Sequence, residues 1–317
     1  MLLIVDNCTD PYRNLATEEY LTRHLEEPAI RIWRNADSVI VGRNQNARAE
    51  INSDFVRKNG IAVVRRLSGG GAVFHDLGNV NYSLYGCPKG EGVERVIEVL
   101  RKLGLEAGTS GRNDILLGGC KISGTAECIS GGHYLQHGTL LFSASIERLA
   151  GALNPRPEKF EGKAVKSVRS RVANISDTLG KDMTVEEFMD FIAENICPEA
   201  SEYTYTKEDR EAVDVLLKDK YSTEAWNFGA SPAYSYTVSR KFPSGFIELN
   251  MEVSAGRITG FNVYGDYFFS RDTDEFCRRM VGCPMDRDKI YDRLKNEPVG
   301  EYFFGITAAD ILELVAG

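Results

Sequence analysis

Apolar positions along the chain recur with two periods, and the change between them marks strands and helices. Residues 1–6 (MLLIVD) and 29–41 (AIRIWRNADSVIV) are strand-like, with Ile30 and Ile32 alternating against polar neighbours. Between them RNLATEEYLTRHLEE opens just after Pro11 and predicts a helix. IAVVRRL is a further β-branched run, and NVNYSLYG alternates again. VERVIEVLRKLGL places Val93, Val96, Ile97 and Leu100 on one helical face, with Gly104 as its stop. NDILLGG, KISGTAE and HYLQHGTLLFS predict strands joined by glycine turns, and IERLAGAL a short helix. A long loop, NPRPEKFEGKAVKSVRSR, precedes TVEEFMDFIAENI, where Thr184 and Glu187 form a capping box that opens a helix.

The end of the chain differs in kind. WNFGASPAYSY has turn residues and aromatics but no helical period. FIELNMEVSAGRITGFNVYGDYFF predicts two or three antiparallel strands with a turn at Ala255-Gly256. Three short helices are expected after it, the last opening at Thr307 with Asp310 three residues on. Strands followed by helices indicate a small separate α+β domain. The expected division is 1–232 for a larger domain and 233–317 for the smaller one.

With 317 residues, 43% hydrophobic and 26% charged, the composition is that of an ordinary globular protein of one or two domains. No run of apolar residues is long enough to span a membrane, and the N-terminus lacks a signal-peptide pattern. Seven cysteines without a CxxC pair argue against a zinc ribbon or thioredoxin motif; free thiols and a cytoplasmic location are expected. The net charge of −8 argues against sequence-independent nucleic-acid binding, though a local basic site is compatible with it.

Such a local site is suggested by residues 65–79, RRLSGGGAVFHDLGN. Gly69, Gly70 and Gly71 allow close backbone approach to a ligand, and successive N–H groups can form an anion-binding nest. Arg65 and Arg66 add positive charge at one end. The spacing fits neither GxGxxG nor GxxxxGK[ST], so the Rossmann and P-loop readings fail. A flexible hairpin loop is the plain alternative. Lys121, in GGCKISG, fits a point charge for a phosphate or carboxylate, or else a lysine snorkelling over apolar surface. Asp114 fits a metal or hydroxyl partner, or a turn residue. His75 and His137 fit structural roles at least as well as catalytic ones. Lys163, Lys166, Arg169 and Arg171 crowd one loop, which is either a solvated face or a lid over a polyphosphate.

Taken in order, GRNQN (42–46), RRLSGGGAVFHDLGN (65–79), SGRNDILLGGCKISGTA (110–126), HGTLLF (137–142), LNP (153–155), GKAVKSVRSRVAN (162–174) and WNFG (226–229) resemble the lipoate–protein ligase A family. The resemblance implies an α+β fold: a large mixed-sheet domain of the biotin/lipoate ligase type with a small C-terminal α+β domain. It implies that ATP and lipoate give lipoyl-AMP, with Mg²⁺ as the metal. The lipoyl group would then pass to a lysine of a lipoyl domain of a 2-oxoacid dehydrogenase complex, or of the glycine cleavage H protein. By that likeness Lys121 is catalytic. Arg66, Gly71, Ala72, Val73, Phe74, Asp114, Lys121 and Lys163 would hold ATP or AMP. Ser68, Gly69, Gly70, His75, Lys121, His137 and Gly138 would line the lipoyl site. The metal ligands are not assigned, and a monomer is expected. Two alternatives stay open: an ATP-independent octanoyl or lipoyl transferase using Cys120 or Cys128, and a non-catalytic lipoyl-adenylate binder or sensor.

Overall fold

The computed structural model of the chain describes residues 1–43, 45, 47–110, 114–153, 172–229, 236–265, 267 and 269–316. Two compact units result: Met1–Arg43 with Asn59–Thr223, and Asn44–Lys58 with Glu224–Gly317.

The first unit is built on a mixed eight-stranded sheet. In chain order its strands are β1 (Leu2–Val5), β2 (Ala29–Arg34), then, after three strands of a smaller sheet, β6 (Asn79–Tyr85), β7 (Ala107–Ser110), β8 (Asp114–Leu117), β9 (Cys120–Ser130), β10 (His133–Leu141) and β11 (Ser201–Glu202). The spatial order is β11-β1-β2-β6-β10-β9-β8-β7. β1 runs parallel to β2 and β11, and the remaining pairs are antiparallel. The smaller sheet has β3 (Ser38–Val41) between β4 (Ala62–Arg65) and β5 (Val73–His75). The expected single strand-like stretch 29–41 is thus two strands in two sheets. The break falls at the polar Asn35-Ala36-Asp37, where the Ala36 N–H donates to Thr9 O and the Ser38 hydroxyl to Ala36 O.

β6 decides where the core and the site lie. Val80, Tyr82 and Leu84 join Ile30 and Ile32 in the main core, covered by the helices Glu91–Lys102 and Val185–Ile196. Asn79, Asn81 and Ser83 point the other way, and they too are buried. Helix Pro11–His24 covers that second, polar face. It is opened by Asp10, whose carboxylate accepts from the Tyr12 and Arg13 N–H groups. Buried polar groups need partners, and most of those on this face are partnered below.

Among the elements without a counterpart in the sequence analysis are helix Lys207–Leu216 and its continuation as a π-helical turn, Leu217–Tyr221. They hold helix Pro11–His24 from behind. Buried Glu19 accepts from Lys220 Nζ at 2.5 Å and from the Tyr221 hydroxyl at 2.7 Å.

In the second unit β12 (Tyr236–Phe242), β13 (Gly245–Ser254) and β14 (Arg257–Gly265) form an antiparallel meander. The β13–β14 turn is at Ala255-Gly256, with φ of +47° and +71°. Among the described residues four helices follow rather than the expected three: Thr273–Met280, Arg287–Leu294, Val299–Tyr302 and Ala308–Ala316. The additional one is a single turn just after Pro298. Thr307 and Asp310 exchange side-chain and backbone hydrogen bonds at the start of the last. Arg48, from the early segment, donates to Met285 O and stacks 4.5 Å over the Phe228 ring.

Candidate active site

A cavity of about 230 Å³ lies within the first unit. Of the residues expected at a site, Arg66, Gly70, Gly71, Ala72, Val73, His75, Asp114, Lys121, His137 and Gly138 line it. Ser68 sits behind the lining, Gly69 lines an adjoining groove, and Phe74 is buried with Arg148 stacked 5.9 Å over its ring. Lys163 and the cationic segment 162–171 lie outside the described residues. The adjoining groove, of about 790 Å³, shares Gly70, Asp114, Thr125 and Ala126 with the cavity. These shared residues mark the mouth. Leu15, Glu18, Trp33 and His75 line the cavity and not the groove, and all four are buried, which sets them at its inner end.

The mouth is shaped by the β8–β9 hairpin. It turns through Gly118 and Gly119, both at positive φ (+58° and +83°), as a two-residue primed turn requires. Leu116 pairs with Lys121 and Ile115 with Ser123, so Ile122 is an extra residue, a bulge that re-aims its neighbours. Lys121 Nζ lies 2.7 Å from Asp114 Oδ1, each side chain 38% exposed. A Cβ at Gly124 would lie 3.2 Å from Lys121 Nζ, so the absent side chain is the space the ammonium uses. An ion pair this exposed contributes about 0–1 kcal/mol. An incoming anion can therefore draw the lysine from Asp114 at small cost.

From the inner end a hydrogen-bonded path runs to the glycine loop. Glu18 Oε1 accepts from the Ser83 hydroxyl at 2.7 Å and faces His137 Nδ1 at 2.9 Å. Burial pushes the Glu18 carboxyl up, but His137 and the Ser83 hydroxyl outweigh it and hold it below its ordinary value. His137 Nε2 is 2.6 Å from Ser68 Oγ, which accepts from Arg66 Nε at 3.0 Å. Arg66 Nη2 donates to the carbonyls of Gly69 and Gly71 at 2.6 and 2.8 Å, and Nη1 donates to Ile40 O. Burial lowers this guanidinium to about 10, still charged at neutral pH. Arg66 thus clamps the loop in which Gly70 takes φ of +89°.

Residues 10–197 match the family described as the lipoyl protein ligase A/B catalytic domain, and residues 231–315 match the bacterial lipoate protein ligase C-terminus. This chain belongs to the lipoate–protein ligase family. The lipoate-protein ligase LplJ of Bacillus subtilis is 41% identical, covering 99% of this chain and 100% of its own length. A bipartite lipoate protein ligase from Thermoplasma acidophilum, from a lipoylation system that includes its E2 lipoyl domain, is 32% identical. It superposes with a TM-score of 0.66 over 73% of this chain and 96% of its own. Lipoate-protein ligase A bound with ATP is 30% identical, with a TM-score of 0.63 over 72% of this chain and 98% of that one.

Sequence reasoning missed Glu18, Trp33 and Asn81 in the ligase's cavity. A signal for Glu18 was present: Thr17-Glu18-Glu19 sits between Leu15 and Leu21, where a helix facing a core should be apolar. The two cysteines of β9 differ from a reactive pair. Burial, with Glu18 nearby, pushes the Cys128 thiol up to about 12, so it stays protonated at neutral pH, and Cys120 is part-exposed at the hairpin.

Proposed function

We propose that this ligase forms lipoyl-AMP at the cavity mouth and passes the lipoyl group to a lysine of a lipoyl domain, salvaging free lipoate. The observation that carries this reading is Lys121, poised on Asp114 where cavity and groove meet. The acyl chain lies inward, toward Leu15 and Trp33, and its carboxylate stops at Lys121. A carboxylate oxygen attacks the α-phosphorus of ATP, and the bond to the pyrophosphate oxygen breaks. Lys121 offsets the negative charge that two anions bring together, and that grows in the transition state. In the second step the acceptor lysine nitrogen attacks the acyl carbon and AMP leaves. The glycine loop, with Ser68 to Gly71 against the acyl chain and 71–74 toward the nucleotide, is held by Arg66. Arg66 itself, Asp114 and Lys163 complete the nucleotide set.

Among the described residues no three His, Cys, Asp or Glu side chains are grouped to hold a metal ion. Mg²⁺ carried on ATP takes one or two carboxylates with phosphate oxygens and water, and Asp114 lines both the cavity and the groove. Asp114 is the residue that would hold it, and the ion would neutralise the pyrophosphate leaving group. No helix of the described residues is long and apolar enough to cross a membrane. We assign the chemistry to residues within 1–232, an accessory role to 233–317, and a monomer working in the cytoplasm.

The test is pyrophosphate release from ATP with and without lipoate, no acceptor present. Lipoate-dependent release is the expected outcome. Lipoate and ATP binding without release would make the protein a sensor. Acyl transfer from a donor domain without ATP would make it a transferase. For the cysteine route, the double variant Cys120→Ser/Cys128→Ser is expected to keep turnover within about twofold of the parent. Loss of transfer in a folded double variant would restore the thioester route.

A further inference from the structure

We infer that Asn35 is a positioning residue: held by Asn14 and Arg31, it locks His75 as the Nε2–H tautomer and gives the inner end of the cavity one fixed hydrogen-bond donor for a dithiolane sulfur. The inference rests on the reading that the acyl chain lies inward from Lys121.

The chain of orientation starts at a group that can only donate. Arg31, fully buried, donates from Nη2 to Asn14 Oδ1 at 2.6 Å and is itself held by Asp6 at 2.8 Å. A guanidinium has no acceptor, so that Asn14 atom is the oxygen. Asn14 Nδ2 faces the carbonyls of Cys8 and Arg34, both at 2.8 Å, which can only accept and fix the same orientation. The same nitrogen is 2.9 Å from Asn35 Oδ1. Reversing Asn35 would set two NH₂ groups against each other, so Asn35 Nδ2 is the atom 3.1 Å from His75 Nδ1. An amide nitrogen only donates, so His75 Nδ1 accepts and the ring proton sits on Nε2.

That Nε2 is buried and has no hydrogen-bond partner among the described residues, although His75 lines the cavity and is only 4% exposed. Burial, with Arg66 and His137 nearby, pushes the imidazole down to about 3, so the ring is neutral at neutral pH. A buried unpaired donor is costly and is relieved by an acceptor that reaches it. The neighbours at this end, Leu15, Trp33 and Ile40, are apolar. A ring sulfur is apolar enough for them and still accepts a weak hydrogen bond, whereas the methyl end of an octanoyl chain accepts none. Glu18 Oε2 is also unpaired there but cannot donate as a carboxylate. Asn81 Nδ2 is unpaired too, yet its only described side-chain partner is Asn79, and no donor-only group fixes that pair.

The experiment is a long-range ¹H–¹⁵N spectrum of the ¹⁵N-histidine-labelled ligase at pH 7. The chain has four histidines, and His75 is assigned by its loss in His75→Gln. His75 is expected to show a single Nε2–H pattern whose proton shift moves on adding lipoate and not on adding octanoate. Asn35→Asp, whose carboxylate only accepts, is expected to move the proton to Nδ1. Its KM for lipoate should rise about 3- to 10-fold, with kcat and the octanoate KM within about twofold. An Nδ1–H pattern in the parent overturns the inference, as does an Nε2–H signal indifferent to lipoate. So does a folded Asn35→Asp with a switched tautomer and an unchanged lipoate-to-octanoate ratio. If that variant does not fold, the parent spectrum decides alone. Failure of the underlying reading shows separately, as absent lipoate-dependent pyrophosphate release.

Discussion

Lys121 owes its reach to a neighbour without a side chain. Gly124 leaves the room through which the ammonium meets Asp114, and the bulge at Ile122 sets its direction. The sequence pointed to Lys121 through the glycine turn before it, because turn chemistry is local. The glycine triplet was legible for the same reason. The grip of Arg66 on the loop's own carbonyls was not, because no local pattern in the sequence announces it. Glu18 and His137 are 119 positions apart, and no local pattern announces such a pair. Because Lys121 is part-exposed and its ion pair weak, removing it should leave stability intact. Lys121→Ala is expected to retain under about a tenth of turnover in both adenylation and transfer, a loss above ~1.4 kcal/mol in the barrier. An unchanged melting temperature with residual turnover above that level would dismiss its catalytic role.

Strand β6 carries two periods of information at once. Its alternation predicts a strand, and both of its faces are buried, one in the core and one toward the cavity side. Asn81 lines the cavity, Ser83 donates to Glu18 of its lining and Asn79 donates to Asn81, so the polar face serves a site rather than solvent. Only the covering helix Pro11–His24 distinguishes those cases. The helix Lys207–Leu216 and the π-helical turn after it have no local signal of their role, which is to brace that helix through Asp209 and Asp214 of the one and Tyr221 of the other, contacts remote in sequence. The β13–β14 turn was read correctly, since Ala255-Gly256 sits between two alternating runs. Here the fold keeps a strained choice: among the described residues, Ala255 is the non-glycine residue at positive φ. Ala255→Asn gives the Asn-Gly pair that a two-residue primed turn favours, and should stabilise the second unit by about 0.5–1 kcal/mol. A denaturant midpoint at or below that of the parent would refute the assignment of strain.

Below neutral pH, two buried groups, His75 and Glu18, move stability in the same direction. His75 stands near 3 in the fold against 6.5 when exposed. Between those values the unfolded chain takes up a proton that the folded chain refuses, so stability falls as pH drops from about 6.5 toward 3, by up to about 1.4 kcal/mol per pH unit. Glu18, lowered from 4.5, adds stability present above that value and lost beneath it. Thermal melts from pH 7 to pH 4 should therefore decline, and His75→Gln should flatten the decline above pH 4.5; a slope unchanged in that variant would remove His75 as its source. At the same scale, the small unit is threaded rather than appended. It gathers Asn44–Lys58 as well as Glu224–Gly317, and Arg48 from the first segment grips Phe228 and Met285 in the second. A gene cut after Thr223 would consequently yield no clean cassette. Moving this unit to another scaffold demands an insertion between Arg43 and Asn59 together with a fusion at Thr223, and recombination that exchanges one without the other breaks both pieces.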